Sequence, residues 1–135
     1  MAENCCSTGG VTLIYTCSGT SDVGELSDRV VRKLWNEGFA GRNCLAGIGA
    51  DISGFVKSAQ GVEKNITIDG CPVACARKTL ERIGVKPVSI MLGDLGYKKG
   101  ESPVTDESIE KVCDSIKNIT KMETAAPTSG CGCCS

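Results

Sequence analysis

The stretch Ile66-Thr67-Ile68-Asp69-Gly70-Cys71-Pro72-Val73-Ala74-Cys75-Ala76-Arg77-Lys78 decides how this 135-residue chain is read. It opens as a short apolar alternation, turns at Asp-Gly and passes into a helical pattern. Pro72 suits the first helical position, where its missing N–H costs nothing and its φ is already helical. That makes Cys71 the expected N-cap and sets Cys75 one turn further along the same face. Two thiols at the positive end of a helix dipole are either half of a metal site or the centre of a reactive-cysteine site.

Working outward, strand and helix signals alternate. Residues 11–16 read as a buried strand, followed by a turn and an Asp22/Glu25 capping box. The helix behind it carries Val23, Leu26, Val30 and Leu34 at helical spacing and stops at Gly38. Residues 43–46 read as a short second strand running into Gly47-Ile-Gly49, and 51–59 as a short helix. A third strand at 65–69 leads to a helix at 72–83 with Gly84 as its stop, then a strand at 87–92 and a last helix at 106–120. Such alternation predicts one three-layer α/β domain, with a mostly parallel sheet of about four strands and helices on both faces. The domain is expected to span 10–121. The segments 1–9 and 122–135 are small, polar and cysteine-bearing, and read as flexible tails.

A formal net charge of −1 with no basic stripe argues against nucleic acid as a partner. Apolar runs are too short to span a bilayer, so no membrane is expected. Without a secretory pattern at the start, the chain reads as cytoplasmic, where its ten cysteines stay mostly reduced. There a cysteine-rich sequence points to metal binding or thiol chemistry rather than a disulfide scaffold. The chain has no histidine, which excludes Ser-His-Asp and Cys-His machinery and any His-ligated metal.

Parallel strands and right-handed crossovers collect every strand-to-helix turn at one edge of the sheet. Cys17 follows the first strand, Cys44 lies in the second, and Cys71 and Cys75 follow the third. With strands about 4.8 Å apart and Zn–S bonds about 2.3 Å, these thiolates can converge on one ion. The expected site is therefore tetrahedral Cys17, Cys44, Cys71 and Cys75, with zinc as cofactor. A single cysteine is commonly just a small buried hydrophobe, and Cys113, among Ile109, Val112, Ile116 and Ile119, reads as core. Asp69, Asp94 and Ser18 are candidates to support the ligands, though an Asp at such a turn also caps the next helix. Cys5, Cys6, Cys131, Cys133 and Cys134 in the tails are candidate accessory thiols for soft metals or for redox exchange.

Two other chemistries stay open. Cys71 to Arg77 spells Cys-x5-Arg, the spacing of an oxyanion-binding loop in which Cys attacks while N–H groups and Arg hold the anion. Pro72, lacking an N–H, and a second thiol at Cys75 count against it. The same four thiolates also suit an iron–sulfur cluster.

Four motifs then give a resemblance: Cys17-Ser-Gly-x-Ser-Asp-x-Gly-Glu-Leu, Cys44-Leu-Ala-Gly-Ile-Gly, Asp69-Gly-Cys-Pro-Val-Ala-Cys-Ala and Gly93-Asp-Leu-Gly. Together and in this order they resemble the DGC family, named for its Asp-Gly-Cys motif, over about residues 11–96. The resemblance implies a small zinc-binding protein whose four motif cysteines, here Cys17, Cys44, Cys71 and Cys75, hold the metal. It implies no particular reaction. The expected function is thus a structural, sensory or carrier metal site, with a Cys71-based thiol enzyme and an iron–sulfur protein as alternatives.

Overall fold

In the computed structural model, which describes residues 11–124, the central sheet has four parallel strands in the order β2-β1-β3-β4. The elements are β1 (Thr12–Thr16), α1 (Asp22–Asn36), β2 (Gly41–Arg42), α2 (Leu45–Gly49), α3 (Ser53–Gly61), β3 (Lys64–Asp69), α4 (Cys75–Arg82), β4 (Val88–Met91), a 3-10 turn (Leu92–Leu95) and α5 (Asp106–Thr124). The five tail cysteines lie outside the described residues. No helix among those described is long and apolar enough to cross a membrane.

The sheet sorts its side chains by parity, as a two-residue period requires. Register pairs Ile14 with Ile66, and Ile68 with Ile90. These four pack with Leu26, Val30 and Leu34 of α1 and Val112, Cys113 and Ile116 of α5. The opposite face packs Tyr15 against Ile48, Ala59 and Leu80, one from each of α2, α3 and α4. Helices therefore cover both faces, the expected three-layer α/β arrangement. Cys113 is fully buried, donates weakly to the Val30 carbonyl at 3.8 Å, and burial pushes its thiol up to about 11. It is a core residue.

Four sequence expectations need correcting. The second strand is Gly41–Arg42, ending before Cys44, and the Gly-rich stretch behind it is helical. Glycine propensity argues against a helix at Leu45–Gly49, but tertiary packing overrides it. A Cβ on Gly47 would lie 2.3 Å from the Phe55 ring, so only glycine fits under that ring. Second, α1 is capped by Ser21, whose hydroxyl accepts from the Gly24 N–H at 3.2 Å, and not by an Asp22/Glu25 box. Third, α4 starts at Cys75 rather than at Pro72. Residues 71–74 form a turn closed by the Ala74 N–H on the Cys71 carbonyl (3.1 Å), with Pro72 at its favoured second position. Ala74 then takes a left-handed conformation, φ 53°, which no continuous helix allows. Fourth, the last helix runs on to Thr124.

Asp22, released from capping, holds a distant loop instead. Its carboxylate accepts from the Gly100 N–H at 2.8 Å and the Ser102 N–H at 2.9 Å. Those bonds, the Gly100 bond foremost, hold its pKa below the ordinary 3.8. A carboxylate with a depressed pKa contributes stability above the unfolded value and loses it as pH falls through the folded one. Acidification below 3.8 is therefore expected to release the Gly100 and Ser102 amides. In an NMR titration both amide resonances should move together with a midpoint below 3.8; a midpoint at or above that value rules the clamp out.

Candidate metal centre

Cys17 continues the line of β1: its N–H donates to the Ile68 carbonyl at 3.1 Å, so the ladder with β3 extends one residue past the strand. Its Sγ accepts from the Gly70 N–H at 3.4 Å. Ser18 follows in a left-handed conformation, φ 46°, which turns the chain sharply toward α1. Cys44 is the N-cap of α2. Its sulfur accepts from the Gly47 N–H at 3.3 Å, while Asn43 Oδ1 accepts the Cys44 N–H at 2.9 Å. Cysteine here does what serine or asparagine does at other caps.

Cys71 opens the turn before α4 and Cys75 is the first residue of α4. They are not stacked one turn apart on a helix face; they bracket a turn. Cys17 and Cys71 are half-buried, whereas Cys44 and Cys75 are exposed.

All four thiols lie at the C-terminal edge of the sheet, around two cavities. The larger, about 530 Å³, is lined by Cys17 and Cys44 together with Ser18, Asp28, Arg32 and Arg42. The smaller, about 280 Å³, is lined by Cys17, Cys71, Cys75, Asp69 and Lys99. Cys17 borders both and links the two halves. As the side chains stand, no three Cys, Asp or Glu among the described residues are gathered closely enough to hold a metal ion. The donor chemistry nonetheless suits a thiophilic metal, because backbone N–H groups already aim at two of the four sulfurs, the kind of outer contact that metal-bound thiolates use.

The supporting residues divide. Asp69, the last residue of β3, is 1% exposed, and its carboxylate accepts from the Ala76 N–H (2.8 Å) and the Arg77 N–H (3.1 Å). It caps α4, whose own N-cap Ala74 offers no side-chain bond. Burial raises its pKa, and the two N–H bonds pull the other way. Ser18 donates from its hydroxyl to Asp28 Oδ1 at 2.9 Å and borders the larger cavity. Asp94 sits in the 3-10 turn and lines neither cavity.

The same cap decides the Cys-x5-Arg question. An oxyanion loop needs free N–H groups at the helix start and an arginine turned toward the anion. Here a carboxylate of the chain itself takes the Ala76 and Arg77 N–H groups. Arg77 lines neither cavity, and its Nε faces Glu81 at 3.6 Å. The spacing is present and the cradle is not.

Sequence reasoning missed the charged wall of the larger cavity. Arg32 comes from the middle of α1, Arg42 from β2, and Lys99 beside the smaller cavity from the loop that Asp22 holds. No spacing rule flags a lone arginine on an amphipathic helix as a site residue.

The comparisons with known proteins agree with the four motifs. A family model described as the DGC domain matches residues 13–116. A curated relative, the anaerobic and virulence modulator AnvM of Pseudomonas aeruginosa, is 34% identical over 88 residues, covering 64% of this chain and 67% of the relative. No solved structure matches the chain. With the model covering most of the α/β domain, strand β1 through α5, this chain belongs to the DGC domain family.

Proposed function

We propose that the protein binds a thiophilic metal ion, zinc first, through Cys17, Cys44, Cys71 and Cys75, and uses it in a structural, sensing or carrier role. The observation that carries the reading is that the four motif thiols border two cavities joined at Cys17, at one edge of the sheet. In a chain without histidine the four cysteines are the donors suited to a soft ion, and thiolates select soft or borderline ions. Bound there, zinc would supply a crosslink between the β1, β2 and β3 ends. Four sulfur ligands would leave it no open position, which favours holding or reporting the metal over catalysis with it. The Pseudomonas aeruginosa relative is named a modulator, which supports a sensing use.

The chain's own residues prepare this edge. The Gly70 N–H fixes the Cys17 sulfur, the Gly47 N–H fixes that of Cys44, and Asp69 holds the start of α4, on which Cys75 stands. Metal analysis of full-length protein purified without added metal should give about one zinc per chain. Each of Cys17→Ser, Cys44→Ser, Cys71→Ser and Cys75→Ser should lose most of it, and with it part of the thermal stability. Cys113→Ser should keep it. Full zinc in Cys44→Ser and Cys71→Ser refutes the ligand set, and a brown, iron-containing product replaces zinc with a cluster on the same thiols.

A further inference from the structure

The larger cavity has a wall that the metal does not use. At about 530 Å³ it falls within the ~300–1,000 Å³ range of small-molecule pockets. Arg42 leaves the end of β2 and lies over the ring of Trp35, 3.7 Å from guanidinium carbon to ring centroid. Stacking on an indole fixes the guanidinium plane and leaves its N–H edge unspent. Among the described residues no carboxylate forms an ion pair with Arg42. Arg32, which lines the same cavity, is bound at its Nε by Asp28 Oδ2 at 2.6 Å, and Asp28 is held in turn by the Ser18 hydroxyl. That contact occupies one edge of Arg32 and leaves its terminal nitrogens for another acceptor. The charged side chains of the wall are thus two guanidiniums against one carboxylate. Thr16 adds a hydroxyl beside them; it accepts the Ser18 N–H at 3.2 Å and keeps its own proton to donate.

We propose that this cavity binds a small organic anion, with its carboxylate or phosphate group seated on Arg42 and Arg32. Arginine recognises both groups through paired N–H donors, and a fork already fixed on an aromatic ring loses little freedom on binding. The apolar part of the ligand would lie against Ile14, Val31 and Leu45, which line the same cavity. The proposal does not depend on the metal reading, because the two guanidiniums stand on α1 and β2 and carry none of the four thiols.

Trp35 is the single tryptophan of the chain and lies directly under Arg42, so it reports on the site. Full-length protein stripped of metal with EDTA is titrated with inorganic phosphate and, separately, with succinate, at constant ionic strength. A saturable change in Trp35 emission is expected with at least one of them at concentrations up to ~10 mM. Arg42→Gln should weaken binding at least about tenfold, Arg32→Gln less, and Arg42→Lys should fall between wild type and Arg42→Gln. Because Arg42→Gln also alters the emission of the free protein, amide shifts of Thr16 and Asn43 are followed in parallel. A response to phosphate alone assigns a phosphate-bearing ligand, and one to succinate alone a carboxylate. No saturable response to either anion, or an equal response in the Arg42→Gln and Arg32→Gln variants, overturns the proposal.

Discussion

Gly70→Ala is expected to lower the unfolding free energy by about 3 kcal/mol, or roughly 10–15 °C in Tm for a domain of this size. A Cβ on Gly70 would lie 2.6 Å from the Val23 carbonyl oxygen, 2.7 Å from its carbon and 3.0 Å from the Gly24 nitrogen. All three are backbone atoms in the first turn of α1, a helix whose Val23, Gly24, Leu26 and Ser27 are buried. No flexible side chain can swing away to make room. The complementary contact closes the gap from the other side, since a Cβ on Gly24 would lie 2.4 Å from the Gly19 oxygen. The turn after β1, the start of α1 and the turn after β3 are therefore stacked backbone on backbone. Overpacking against a rigid neighbour falls at the upper end of the usual ~1–3 kcal/mol.

Gly70 does not sit in the left-handed region, so its backbone conformation is open to alanine and space alone sets the cost. Gly93→Ala is the matching control: nothing lies within 4 Å of its would-be Cβ. Such a change should be neutral or slightly stabilising through the unfolded chain, by up to ~1 kcal/mol. Thermal melts of the two variants should thus separate by about 10 °C or more. The Gly70 N–H also fixes the Cys17 sulfur, so under the proposed metal-binding function metal content should fall in Gly70→Ala along with Tm. A melt within a couple of degrees of wild type means the two turns are not packed this way.

That stacking explains both what the sequence disclosed and what it hid. Apolar periodicity located β1, α1, β3, β4 and α5, because each buries a broad face against many neighbours and the pattern repeats along it. The alternation of strand and helix was enough to bring four cysteines to one sheet edge. Failures occurred where a single distant contact overrides a local rule. Position 47 has to be glycine, even inside a helix, because the Phe55 ring lies over it, and nothing near residue 47 announces that ring. Pro72 has two good homes, the first position of a helix and the second of a turn, with the same φ in both. Which one it takes is settled two residues later, where Ala74 turns left-handed and α4 has to start afresh. The charged wall of the larger cavity was invisible for a similar reason. Arg32 is one of several charged residues on α1, and only the pairing of β2 with β1 brings Arg42 to the same cavity.

Because α4 starts afresh behind a left-handed alanine, its stability rests on a residue outside the helix. Asp69→Ala is therefore expected to cost about 3 kcal/mol, more than the ~1 kcal/mol typical of losing an ordinary N-cap. Two effects set that size. The carboxylate satisfies two helix N–H groups at once, from Ala76 at 2.8 Å and Arg77 at 3.1 Å, and bonds to a charged acceptor are the stronger kind. The position is also 1% exposed, so water has little access to replace the lost acceptor. Removing the charge relieves its burial cost, the effect that raises the Asp69 pKa, and this offsets part of the loss without reversing it. Asp69→Asn keeps one acceptor oxygen but turns an amide N–H2 toward a second N–H, so it should recover less than half of the difference. Chemical denaturation gives both values. Amide exchange adds the local test: protection at Ala76 and Arg77 should fall further than at Ile14 and Leu34, which lie in the core formed by the sheet and α1. The alternative is that Asp69 serves as an outer contact to a metal and not as a cap. In that case Asp69→Ala would melt like wild type once both proteins are stripped of metal, and the metal-loaded forms alone would differ. The two N–H bonds that the Asp69 carboxylate accepts are the reason to expect the stripped proteins to differ.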